Sequence, residues 1–167
     1  APEILRSNLS AAVLRMLRLG VRDVDAFPFL DPPQPRLTRE ALDELVELGA
    51  VAADGDATGR EEEPPPIFRL TPRGRRMAEL PVDPRISRMI LEAQPLGCLD
   101  EILVIAAALS IADPRERPLE QAGEADRMHA LFAEPGSDFL TLLKLWRQYH
   151  DAHKRLRSQN ALRRFCR

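Results

Sequence analysis

The sequence predicts a mainly α fold: a small unit of two helices and a β-hairpin, followed by an all-α helical bundle. Three observations lead there. Apolar residues recur at helical spacing through most of the 167 residues. Only two short strand-like runs, Ala50 to Ala53 and Ile67 to Leu70, interrupt that pattern. Between Leu70 and Ala93 the text LTPRGRRMAELPVDPRISRMILEA writes two helix starts in succession. Thr71 before Pro72, and Asp83 before Pro84, each place a side-chain oxygen where it can accept from unpaired helix amides. The proline then sits at the first helical position, where its missing N–H costs nothing. Two starts so close together mark a domain junction, with one domain over residues 1–80 and another over 81–167.

Taken in order, Leu5, Leu9, Ala12, Val13, Met16 and Leu17 form one face of a helix that stops near Gly20. Phe27, Pro28, Phe29 and the prolines at 32, 33 and 35 make an ordered turn. A second helix is expected after Thr38, with Ala41, Leu42, Leu45 and Val46 facing inward and Gly49 ending it. The two strands then pair, and helix, helix, hairpin is the shortest form of a winged helix. Its tip, DGDATGREEEPPP over residues 54–66, is polar, acidic and proline-ended, so a long and poorly ordered wing is expected.

From Asp83 onward the pattern is helical throughout. Ile86, Met89, Ile90 and Ala93 line one face, and Gly97 leads into the apolar Leu99 to Ser110. The run from Ile102 to Leu109 is far short of the roughly 20 residues of a membrane crossing and reads as a helix buried on most sides. Asp113, Pro114 and Pro118 break it. A helix over about 119–133 and another from Ser137 complete the bundle, the latter with Phe139, Leu142, Leu143, Trp146 and Tyr149 at helical spacing. Leu162 and Phe165 extend an apolar face toward the end of the chain.

Composition narrows the function. With 44% hydrophobic residues the chain can bury a core. Cys98 and Cys166 are isolated and fit neither a disulfide framework nor a metal site, and no secretory segment is present, so a cytoplasmic protein is expected. There is no GxxxxGK[ST] phosphate loop, which excludes an ATP motor. The chain begins at Ala1 without a methionine and ends at Arg167 in text that still reads helical, as a piece of a longer protein would. The net charge of −2 hides an asymmetry: residues 1–80 hold 11 basic and 14 acidic side chains, whereas residues 144–167 hold 8 basic and one acidic. The basic end is the candidate for meeting phosphate.

Four groups of residues could carry function. The helix after Thr38 stands where many winged helices meet DNA, but Glu40, Asp43, Glu44 and Glu47 against Arg39 repel phosphate. The C-terminal cations Lys144, Arg147, Lys154, Arg155, Arg157, Arg163, Arg164 and Arg167 suit nonspecific contact with a nucleic-acid backbone, or else a solvated helix face or a surface that docks onto further parts of a longer chain. Trp146 and Tyr149, the single tryptophan and tyrosine, could stack on bases but fall on the apolar stripe with Phe139 and Leu142, which favours core packing. His129, His150 and His153 lack acidic or thiol partners at metal-ligand spacing. Glu61 to Glu63 and the Asp100–Glu101 pair read as loop and helix-start carboxylates, leaving no catalytic set.

The ordered series Leu70, Thr71, Gly74, Arg75, Met77, Ala78, Leu80, Pro81, Val82, Asp83, Pro84 and Arg85 resembles the linker between the winged-helix and helical domains of DEAH-box RNA helicases. PEILRSNLSAAVLRMLRLG, FPFLDPPQP and LTREALDELVELGAV are similar to the family's winged helix. LGCLDEILVIAAALSIADPRERP and SDFLTLLKLW are similar to its helical, ratchet-like domain. The wording is closest to the bacterial HrpA-like branch, and the likeness spans nearly the whole chain. The acidic wing is longer than the family's usual connection, and the Asp-Glu-Ala-His box is absent.

The resemblance implies an accessory region that guides single-stranded RNA and couples it to motor domains of the same polypeptide. ATP and Mg would belong to those motor domains, with no cofactor, metal or catalytic residue in this chain, which by itself would be inactive, and no membrane partner. RLRSQNALRRFCR resembles the stretch before the family's cysteine-arginine helix. The implied nucleic-acid contacts are therefore Lys154, Arg155, Arg157, Ser158, Asn160, Arg163 and Arg164. A winged-helix nucleic-acid-binding or protein-interaction module without helicase activity is the alternative.

Overall fold

The computed structural model describes residues 9–54, 67–113, 115 and 117–156. They are mostly helical, with one two-stranded hairpin, and the chain divides between Glu92 and Ala93 into two compact units.

The first unit is a winged helix. Helix α1 (Leu9–Arg18) packs on α2 (Pro35–Glu47). Strands β1 (Val51–Asp54) and β2 (Ile67–Leu70) pair antiparallel, with Val51 opposite Leu70 and Asp54 opposite Ile67. Val13, Leu14, Val24, Ala41, Leu42, Leu45, Ala50, Val51 and Met77 form the core, and Leu48, Phe68 and Leu70 pack against it. Glycine ends both helices. Gly20 (φ 91°) lets Val21 N–H reach the Met16 carbonyl at 3.0 Å, and Gly49 (φ 67°) lets Ala50 N–H reach Leu45 at 2.9 Å.

Two expectations for α2 change. It begins at Pro35 rather than after Thr38, because proline at the first position suits the helix as it stands. Thr38 is instead buried, and its hydroxyl finds no partner among the described residues. Val46, expected inside, is 39% exposed, and Leu48 packs on the core beyond it. The acidic wing, apart from Asp54 in β1, lies outside the described residues, as does Leu5.

Thr71 joins the hairpin to helix α3 (Pro72–Met77). Its hydroxyl donates to the Gly49 carbonyl at 2.7 Å and accepts from Gly74 N–H at 2.9 Å. Its own N–H donates to the Ala50 carbonyl at 3.0 Å. Gly74 then passes so close that a Cβ there would run into the Ala50 carbonyl.

Helix α4 (Pro84–Leu96) starts as its sequence foretells: the Asp83 carboxylate accepts from Arg85 N–H at 2.8 Å. Within the first unit, α4 is held by two carboxylates. Glu44 of α2 accepts from Ser10 Oγ of α1 and from Arg85 Nε, the latter at 2.5 Å. That bond and the Glu44 charge raise the Arg85 pKa above its ordinary value. Glu92 is met by Arg88 and by Arg73, the latter at 3.6 Å.

The second unit contains α5 (Leu99–Leu109), α6 (Ala122–Ala130) behind a short 3-10 turn at Leu119–Gln121, and α7 (Asp138–Arg155). Helices α5 and α7 pack together, with Ile105, Ala106, Thr141, Leu143 and Ala152 buried. Burial of α5 is less complete than its composition suggests: Leu103 and Leu109 are each 45% exposed. A helix apolar on all sides can bury only the side that has a neighbour. The helix expected over 119–133 forms in its middle, and none of its residues is buried. Arg115 clasps the Asp113 carboxylate at 2.7 to 2.9 Å and holds its pKa down at about 2. Among the described residues no helix is long and apolar enough to cross a membrane.

Candidate nucleic-acid interface

Helix α7 carries the described part of the basic tract. Ser137 starts it by accepting from Leu140 N–H at 3.3 Å, and Asp138 adds a favourable charge to its first turn. Thr141, Leu143 and Ala152 are its buried residues. The cations divide into two groups along its length. Lys144 is bound to Glu134 at 2.7 Å and Arg147 to Glu101 at 3.5 Å, so the first two serve the unit's own surface. Lys154 and Arg155 stand exposed in the last turn, and Arg155 Nε reaches the Asp151 carbonyl at 3.3 Å. They also offset the negative end of the helix. Arg157, Ser158, Asn160, Arg163, Arg164 and Arg167 lie outside the described residues.

The aromatic residues depart from expectation. Trp146 is 47% exposed and Tyr149 36% exposed, so neither is core. Helical spacing alone suggested burial, but the residues of α7 that are buried are Thr141, Leu143 and Ala152. The rings instead meet one another and two imidazoles. Trp146 lies 6.1 Å from Tyr149 and 5.8 Å from His150, nearly parallel to it, and Tyr149 lies 6.1 Å from His153. The His150–His153 spacing therefore serves ring contacts. Among the described residues no three His, Cys, Asp or Glu gather to hold a metal.

The first unit presents a different surface. Helix α2 shows Glu40, Asp43 and Glu47 to solvent, with Arg36 bound to Glu40 at 2.8 Å. A groove of about 490 Å³ gathers Arg18, Arg22, Arg69 and Arg75 over Leu17, Phe68 and Leu70. Residues from three separate stretches meet there, which no linear charge count could reveal. All four guanidinium-bearing residues are exposed, and Arg18 is paired with Glu79 at 3.3 Å, so the groove is not an enclosed anion site.

A winged helix with an acidic second helix, followed by a helical unit whose long helix exposes rings and cations, defines a module of two units. Two family models match it in turn: the winged-helix part of the helicase associated domain (HA2) over residues 41–82, and its ratchet-like part over 83–142. The chain is 45% identical over 166 residues to the ATP-dependent RNA helicase HrpA of Escherichia coli, covering 99% of this chain and 12% of that protein. It is 44% identical over 165 residues to the HrpA homolog of Haemophilus influenzae, covering 99% and 12%. It is 39% identical over 145 residues to the pre-mRNA-splicing factor ATP-dependent RNA helicase prp22 of Schizosaccharomyces pombe, covering 87% and 11%. The chain belongs to the helicase-associated family of the HrpA-like, DEAH-box helicases and comprises its winged-helix and ratchet-like domains. It spans about an eighth of the length of these relatives.

Proposed function

We propose that this chain is the accessory region of an ATP-dependent RNA helicase, guiding single-stranded nucleic acid and coupling its movement to motor domains of the same polypeptide. The observation that carries the reading is a likeness to helicases along nearly the whole chain, joined to a basic helix end that has no carboxylate partner among the described residues. The winged helix, residues 1–80, acts as a scaffold, and the helical domain, residues 81–167, as the guide. Contacts between Ser10, Glu44 and Arg85 support this scaffold role, because they tie the start of α4 to α1 and α2.

The strand's phosphates meet Lys154, Arg155, Arg157, Arg163 and Arg164, with Ser158 and Asn160 as hydrogen-bonding positions. Arginine's planar fork suits phosphate oxygens, and lysine supplies a point charge. Neither a phosphate loop nor a cluster of metal ligands among the described residues fits nucleotide or Mg here. Both belong, in this reading, to the motor domains, so the chain alone hydrolyses no nucleotide and works in the cytoplasm as part of its parent.

Salt dependence of RNA binding tests the assignment. Every cation that ceases to neutralise a phosphate should flatten the slope of log affinity against log salt by about 0.7 for a single strand. Replacing Arg155, Arg157, Arg163 and Arg164 with alanine should therefore weaken binding and flatten the slope. An affinity and slope equal to those of the unaltered chain would remove the basic tract from the interface.

A further inference from the structure

We propose that the exposed face of α7 is a base-stacking ladder for single-stranded nucleic acid, built from Trp146, Tyr149, His150 and His153. The inference rests on the strand-guiding reading above and adds which part of the strand is held. Positions i, i+3, i+4 and i+7 share one face of a helix, so the four rings form a continuous strip about 10 Å long. Centroid separations of 5.8 to 6.1 Å link each ring to the next. The buried residues of α7 are Thr141, Leu143 and Ala152, whereas Trp146 is 47% and Tyr149 36% exposed.

The charge around the strip selects the occupant. Between Trp146 and Arg155 the exposed charged side chains are Arg147, Lys154 and Arg155 against the single carboxylate of Asp151. Arg147 is paired with Glu101, whereas Lys154 has no carboxylate partner among the described residues. An aromatic strip beside an excess of cations suits a flexible polyanion that carries planar groups. Bases stack on the indole, phenol and imidazole faces whatever their sequence, while the phosphates turn toward the ammonium and guanidinium groups. Stacking of this kind gives a guide a footing on the strand without reading it.

Trp146 is the only tryptophan of the chain, so its emission reports this face alone. The 167-residue chain would be titrated at low salt with an end-labelled oligo-uridine, following label anisotropy and indole emission together. The ladder requires the two signals to change in parallel. Trp146→Leu should lower affinity about tenfold with an unchanged salt slope, the signature of stacking rather than charge. Tyr149→Leu should also weaken binding while keeping Trp146 as the reporter, and Lys154→Ala should flatten the slope instead. Far-UV circular dichroism checks that each variant keeps its helices. Binding seen by anisotropy with indole emission unmoved, and with Trp146→Leu binding as the parent does, would overturn the ladder and leave strand guiding intact. Absence of any binding at low salt would overturn both.

Discussion

Gly74 leaves no space for even a methyl group, because the Ala50 carbonyl occupies the place where its Cβ would stand. The obstacle is backbone, which cannot swing aside as a side chain could. Gly74→Ala should therefore cost about 3 kcal/mol or more. Thr71→Ala, which loses a helix cap and the bond to Gly49, should cost about 1 to 2 kcal/mol. Denaturant unfolding followed by circular dichroism measures both, since the one tryptophan and the one tyrosine lie in the other unit. A Gly74→Ala variant as stable as the parent would refute the close approach. Thr71 was legible as a cap because threonine before proline has a local meaning. The contact at Gly74 was not, since it depends on where residue 50 returns in space. Thr38 shows the converse: the helix was expected to begin after it, but Pro35 had already started it.

Among the elements, α2 is the most telling, for its carboxylates have separate duties. Glu40 pairs along its own helix with Arg36, while Glu44 reaches both Ser10 of α1 and Arg85 of α4. The side chain of Glu44 is only 18% exposed, against 72% for Arg85, so the pair is partly shielded from water. A double-mutant cycle of Glu44→Gln and Arg85→Met should give a small favourable coupling. Additive effects would mean that the contact contributes no stability. From the sequence, Glu44 looked like one more repulsive charge, because its partners lie 34 and 41 residues away. Helix α7 was legible in its start at Ser137 and its periodicity. Which stripe of it faces inward was not, because that depends on the position of α5.

At the scale of the molecule, exposed groups differ between the two units. The unit with the fold most often associated with DNA carries the acidic helix α2, and the second unit carries the ring strip with Lys154 and Arg155 beside it. The chain should therefore show no site preference on duplex DNA. A competition gel shift across unrelated duplexes measures this, and a site favoured more than about tenfold would restore the winged helix as a reader. Mainly α architecture, one hairpin and the helicase-associated family were all legible, because they rest on periodicity and on the ordered motif around Pro72 and Pro84. The exposed ring strip and the arginine-lined groove were not, because both arise only when distant or differently facing residues are brought together. Those two prolines also shape the chain before it folds. Each fixes φ near −65° in any conformation, so the denatured ensemble has already given up part of the freedom that folding removes. The turns into Pro72 and Pro84 are thus partly set while the rest is still searching, and a newly synthesised chain meets both helix starts half-shaped.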